Sequence, residues 1–154
     1  LDEIEEIGLL LKAAMRESER RLNDLLRPLG ITTGQAEVLQ ILERYGPMSL
    51  GELGALLVAE GGHPSRLVDR MVNAGYIERE QADGDRRRLR LRPTERGKAL
   101  AVVAGERKRA FREWVASQVS SSEIAVGRDF LEAYLVGTEL EHTVAQRRLK
   151  GPLA

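Results

Sequence analysis

Five arginines crowd the stretch Asp85-Arg86-Arg87-Arg88-Leu89-Arg90-Leu91-Arg92, and no acid interrupts them from Arg86 onward. A guanidinium is planar, permanently charged and forked, so it matches two phosphate oxygens or the acceptor edge of a guanine better than an ammonium does. Leu89 and Leu91 alternate with Arg88, Arg90 and Arg92. That period of two predicts a strand whose apolar face anchors in a core while the other face presents its charges. Ala82-Asp83-Gly84-Asp85 has the composition of a tight turn, and Tyr76-Ile77-Glu78-Arg79 is a second strand candidate. Together they predict a hairpin with a charged tip, a shape that suits the backbone of a nucleic acid.

Such a hairpin needs a frame. Ile4, Ile7, Leu11, Met15, Leu22 and Leu25 or Leu26 recur at helical spacing, so residues 1 to about 27 read as a long helix stopped by Pro28 and Gly30. Thr32 or Thr33 can cap a second helix carrying Val38, Leu39 and Leu42, and Ser49 with Glu52 forms a capping box for a third that buries Leu53, Leu56 and Leu57. Pro64-Ser65 opens a fourth, running to about Ala74. Its buried face is Leu67, Val68, Met71 and Val72, and Ser65, Arg66, Asp69, Arg70 and Asn73 face outward. Thr94 can cap a fifth helix to about Ser117, with Leu100, Val103, Phe111 and Val115. Ser120 and Glu123 start a last helix with Ile124, Gly127, Leu131, Tyr134, Leu135 and Thr138 along one side.

The expected fold class is therefore mainly α with a small β-hairpin wing, a winged helix-turn-helix flanked by long dimerisation helices. Residues 1–30 and 118–150 form the dimerisation region, 31–100 the winged domain, and 94–117 a linking helix. The flanking helices have wide apolar stripes and no globular unit of their own to bury them, which predicts a two-fold dimer. The alternative is that each chain folds both ends onto itself.

Composition removes several classes of function. The 154 residues carry 24 basic and 24 acidic side chains, so the net charge is zero, but the acids Asp2, Glu3, Glu5 and Glu6 sit far from the arginine run and the local field is what a partner meets. With no cysteine there is no disulfide framework, thiol switch or thiolate metal site, and two distant histidines make a poor zinc site. No catalytic constellation stands out, which argues against an enzyme, and no cofactor is expected. No apolar run approaches membrane-spanning length and nothing resembles a signal peptide, so a cytoplasmic chain with no membrane partner is expected.

The stretches LGELGALL, SRLVDRMVNAGYIERE and ADGDRRRLRLRPTERG resemble the MarR family of bacterial transcriptional regulators. Asp85-Arg86-Arg87, followed by Pro93-Thr94 and Gly97, has that family's spacing through the wing, and the specific likeness covers about Ser49 to Leu100. It implies a homodimer of triangular shape that binds inverted-repeat operators in double-stranded DNA. It also implies release by a small aromatic or phenolic effector held between the DNA-binding lobe and the dimerisation helices. The chain departs from the pattern at Val58, where relatives commonly have glycine, and at Pro64, where they usually bury an aliphatic residue.

Within that resemblance His63, Ser65, Arg66 and Arg70 are the candidates for the major groove, the arginines for guanine edges and Ser65 for phosphate. The competing reading is an ordinary solvated face with Asp69 paired to a neighbouring arginine. Arg86 and Arg87, with Arg88 beside them, are the wing contacts. Asp85 would be repelled by phosphate and is expected to brace a neighbouring arginine. Charged strand edges also block sheet-to-sheet pairing, which suits Arg88, Arg90 and Arg92 better than Arg86. Trp114 is either packing or one wall of an effector cleft. A second function class stays open: a winged protein-interaction module that has lost sequence reading.

Overall fold

Most helix starts in this chain are set by side-chain caps. Asp2 with Glu5, Thr32 with Gln35, Ser49 with Glu52 and Ser120 with Glu123 each form a reciprocal capping box, and one such cap contributes about 1 kcal/mol. Of the two threonines considered for the second helix, Thr32 is the cap.

The computed structural model describes residues 2–58, 64–82 and 85–151, with backbone alone at 82 and 85–88. The elements run α1 (Glu3–Leu26), a 3₁₀ turn (Arg27–Leu29), α2 (Thr33–Tyr45), α3 (Leu50–Gly54), α4 (Ser65–Asn73), β1 (Ile77–Ala82), β2 (Asp85–Pro93), α5 (Glu95–Gln118), α6 (Ser121–Leu135) and α7 (Glu139–Leu149). This is the expected mainly α fold with a hairpin wing. Helix α2 is its hub: Ala36, Val38, Leu39, Ile41 and Leu42 are buried against Leu53, Leu56, Leu67, Val68, Met71, Ile77 and Leu91. Each large aliphatic taken fully out of water here contributes roughly 1.5–3 kcal/mol. Ala101 and Ala104 of α5 close the other side of the core.

The hairpin is antiparallel, in register from Ile77↔Pro93 to Gln81↔Leu89. The register then shifts and Ala82 faces Asp85, so Arg86, Arg87 and Arg88 fall in the irregular part of the pairing, toward the tip. One correction concerns the strand's apolar face. Leu91 is buried and exchanges two backbone hydrogen bonds with Met48 (2.7 and 3.2 Å), but Leu89 is 50% exposed. The core ends at Leu91, and the strand continues past it.

The last helix predicted from the sequence is two helices. Gly137 takes a positive φ of 78° and its N–H donates to the Glu141 carboxylate at 2.7 Å. Thr138, expected on the helical stripe, is instead the N-cap of α7. The apolar stripe of α1 (Ile4, Ile7, Met15) and that of α6 (Ile124, Leu131, Tyr134) are exposed on the single chain.

Candidate nucleic-acid interface

Helix α4 is amphipathic in the sense the sequence predicts. Leu67, Val68 and Met71 are buried, while Ser65, Arg66, Asp69, Arg70 and Asn73 are exposed on the opposite face. Its start is firm despite the unusual proline. Pro64 is buried, its carbonyl accepts the Val68 N–H at 2.9 Å, and its ring lies 3.4 Å from where a Cβ on Gly54 of α3 would sit. The proline thus fills the space an aliphatic side chain would take. Val58, at the close of the preceding turn, donates its N–H to the Glu37 carboxylate at 3.3 Å.

The charges on this face are sorted by the wing. Asp69 is ion-paired with Arg79 of β1 rather than with an arginine of its own helix. Among the described residues neither Arg66 nor Arg70 has an ion-pair partner, so both guanidinium groups remain available to an incoming acceptor. On the hairpin, Arg92 is held by Glu78 (2.7 Å) and Glu80 (3.0 Å). The run therefore does not carry five uncompensated charges. Arg92 serves the sheet, as its place on a charged edge suggested.

The angle between α4 and the wing is fixed at their shared root. Gly75 turns with φ +72°, and Tyr76 N–H returns to the Met71 carbonyl at 2.9 Å. Thr94 caps α5 and donates its hydroxyl to the Gly75 carbonyl at 2.7 Å. Arg96 lies over the Tyr76 ring at 5.0 Å and reaches the Ala74 carbonyl. Gly97 is needed here because a Cβ would lie 2.0 Å from the Tyr76 carbonyl oxygen. Helix α4, the wing and α5 are locked together over a few residues.

His63 lies outside the described residues, as do the side chains of Asp85, Arg86, Arg87 and Arg88, whose backbone belongs to β2. The sites brought together are Ser65, Arg66 and Arg70 on one helix face, with Asp69 and Arg79 beside them. Trp114 sits elsewhere, between α1 and α5. Arg21 covers its ring at 3.9 Å, Phe111 adjoins it at 5.7 Å, and a shallow groove of about 310 Å³ runs past them. A second groove of about 400 Å³ lies between α2 and α5, lined by Arg44, Arg109 and Arg112 with Glu43 and Glu106. Sequence reasoning passed over Arg79 and Glu37. Their roles depend on partners from other elements, and no local pattern marks them.

Residues 31–97 match the family described as a winged helix DNA-binding domain. Over 106 residues the chain is 31% identical to the multiple antibiotic resistance protein MarR of Salmonella typhimurium, spanning 69% of this chain and 74% of that protein. The chain belongs to the MarR family. Among solved MarR structures, a mutant of the Escherichia coli protein complexed with operator DNA superposes with a TM-score of 0.76 at 26% identity, covering 87% of this chain and 96% of that one. The wild-type apo form of E. coli MarR gives 0.65 at the same identity, covering 83% and 96%. This MarR-family chain is a winged-helix transcription regulator by fold and descent, and neither is that of an enzyme. Among the described residues no helix is long and apolar enough to cross a membrane.

Proposed function

We propose that this chain works as a cytoplasmic homodimer that reads an inverted-repeat operator and represses transcription until a small effector releases it. The observation that carries the reading is the outward face of α4, where Arg66 and Arg70 stand without ion-pair partners among the described residues while Asp69 is drawn aside to Arg79. In the dimer, residues 1–30 and 118–150 pair across the two-fold and cover the exposed stripes of α1 and α6. Residues 31–100 form the reading head, and 94–117 join the two regions. Two heads then enter successive major grooves about 34 Å apart. Ser65, Arg66, Arg70 and His63 face the bases and nearby phosphates, and Arg86, Arg87 and Arg88, braced by Asp85, follow the flanking backbone.

An aromatic or phenolic effector would act by favouring a head separation that does not match the grooves, which requires it to bind one dimer geometry better than the other. Trp114 is one wall for such a ligand. Displacing Arg21 from its ring would be part of the cost of binding.

The test is fluorescence anisotropy of the full chain with duplexes from its own upstream intergenic region, against scrambled competitors and over a salt series. Binding that survives competitor with two chains per site supports the reading. Equal, weak binding to every fragment of the genome would overturn it in favour of a winged protein-interaction module.

A further inference from the structure

Helix α7 contributes none of the residues assigned to DNA above, yet one of its arginines reaches the reading head. Arg147 ion-pairs with Glu37 of α2, and its Nε donates to the Leu56 carbonyl at 2.6 Å. The same Glu37 carboxylate oxygen accepts the Val58 N–H. One guanidinium and one carboxylate therefore hold two backbone groups just after α3, at Leu56 and Val58. Glu37 is buried, at 7% exposure. The contact is supported on both sides: Lys108 of α5 bonds Gln40 at 2.8 Å, and the Tyr45 hydroxyl donates to the Gly151 carbonyl at 2.9 Å.

A buried ion pair of this kind adds little net stability over apolar packing, because desolvating both charges offsets their attraction. Its directional value is larger. A planar fork fixed at two acceptors sets where the Leu56–Val58 backbone lies, and Gly54, just before that stretch, packs against the Pro64 ring at the start of α4. We infer that Arg147 and Glu37 are positioning residues for DNA reading, a tie by which the C-terminal helix fixes the start of the recognition helix without touching DNA. The inference rests on the operator-reading function proposed above and adds α7 to the parts that determine it.

Arg147→Ala, Arg147→Lys and Glu37→Gln in the full chain test it, each with a thermal-unfolding control. Residues that tune a site through a packed network change its affinity by roughly three- to thirtyfold. Arg147→Ala should weaken operator binding by that factor, leave random-duplex affinity and the salt slope unchanged, and be partly rescued by Arg147→Lys. A preserved ratio of operator to random binding, with only the unfolding midpoint lowered, would make the pair merely structural and overturn the proposal. A salt slope reduced by about one would mean that Arg147 meets a phosphate directly, which also overturns it. Amide exchange in the free protein separates this claim from the operator reading. The Val58 and early α4 amides should exchange faster in Arg147→Ala while those of α2 do not, and unchanged exchange would overturn the tie even if the wild type selects its operator.

Discussion

Asp69 on α4 is ion-paired with Arg79 on the first wing strand. The contact joins the two elements proposed to face DNA and takes the acid away from Arg66 and Arg70. Both partners are solvent-accessible, so the pair contributes at most about 1 kcal/mol to stability. Asp69→Asn should therefore shift the unfolding midpoint little and lower the operator-to-random binding ratio, measured by competition anisotropy. A lower midpoint with an unchanged ratio would assign the pair to stability instead.

Arg66 and Arg70 are expected to read bases. Replacing either by alanine should cost about 1–3 kcal/mol of operator affinity and relax preference at one position of the site. Lysine at the same position should recover charge but not selectivity, because the two-pronged geometry is gone. Selection of operators from a randomised library by each variant gives the answer position by position.

The wing arginines should behave differently. Arg86→Ala is expected to weaken binding to every duplex alike and to reduce the salt slope by about one. Arg92→Ala should leave the slope unchanged, since Arg92 is already occupied by Glu78 and Glu80. Equal slopes for the two variants would remove the distinction.

Gly97→Ala places a methyl 2.0 Å from the Tyr76 carbonyl oxygen. Backbone on both sides must then move at the root of the wing, with a stability loss of about 1–3 kcal/mol or more. A urea midpoint equal to that of the wild type would show that the root yields more easily than its geometry indicates.

Glu17 gives a pH-dependent term. Its hydrogen bond with Arg20, assisted by Arg21, lowers its carboxyl pKa from 4.5 to about 2. Because the folded value is the depressed one, the stabilisation is present above about pH 4.5 and is lost as pH falls towards 2. The ion pair lies at the solvent surface, so the effect is small and salt-sensitive. The midpoint difference between wild type and Glu17→Gln should be visible at pH 6 in low salt and largely lost at pH 2 or in concentrated salt.

Where function depends on local pattern, the chain could be read directly. The capping boxes at Ser49 and Ser120, the outward face of α4 and the hairpin all follow from spacing along a few residues. What failed to show depends on distance or on context. Leu89 has the right period for burial, but period does not say where a core ends. Gly137 interrupts an apolar stripe that continues across it, so periodicity joined two helices into one. Asp69 has arginines within its own helix and pairs with one ten residues on. The Arg147–Glu37 contact spans 110 residues, beyond any window in which a local pattern can be recognised.

That span has a consequence in time. Synthesis runs from the N-terminus and domains fold as they emerge, so the residues of the winged domain are complete long before Arg147 exists. Until α7 has been made, a nascent head has its hydrophobic core and its wing but lacks Arg147 at Leu56 and Glu37. Synthesis of α7 is therefore the step that brings Arg147 to Leu56 and Glu37, after the winged domain's own residues are in place.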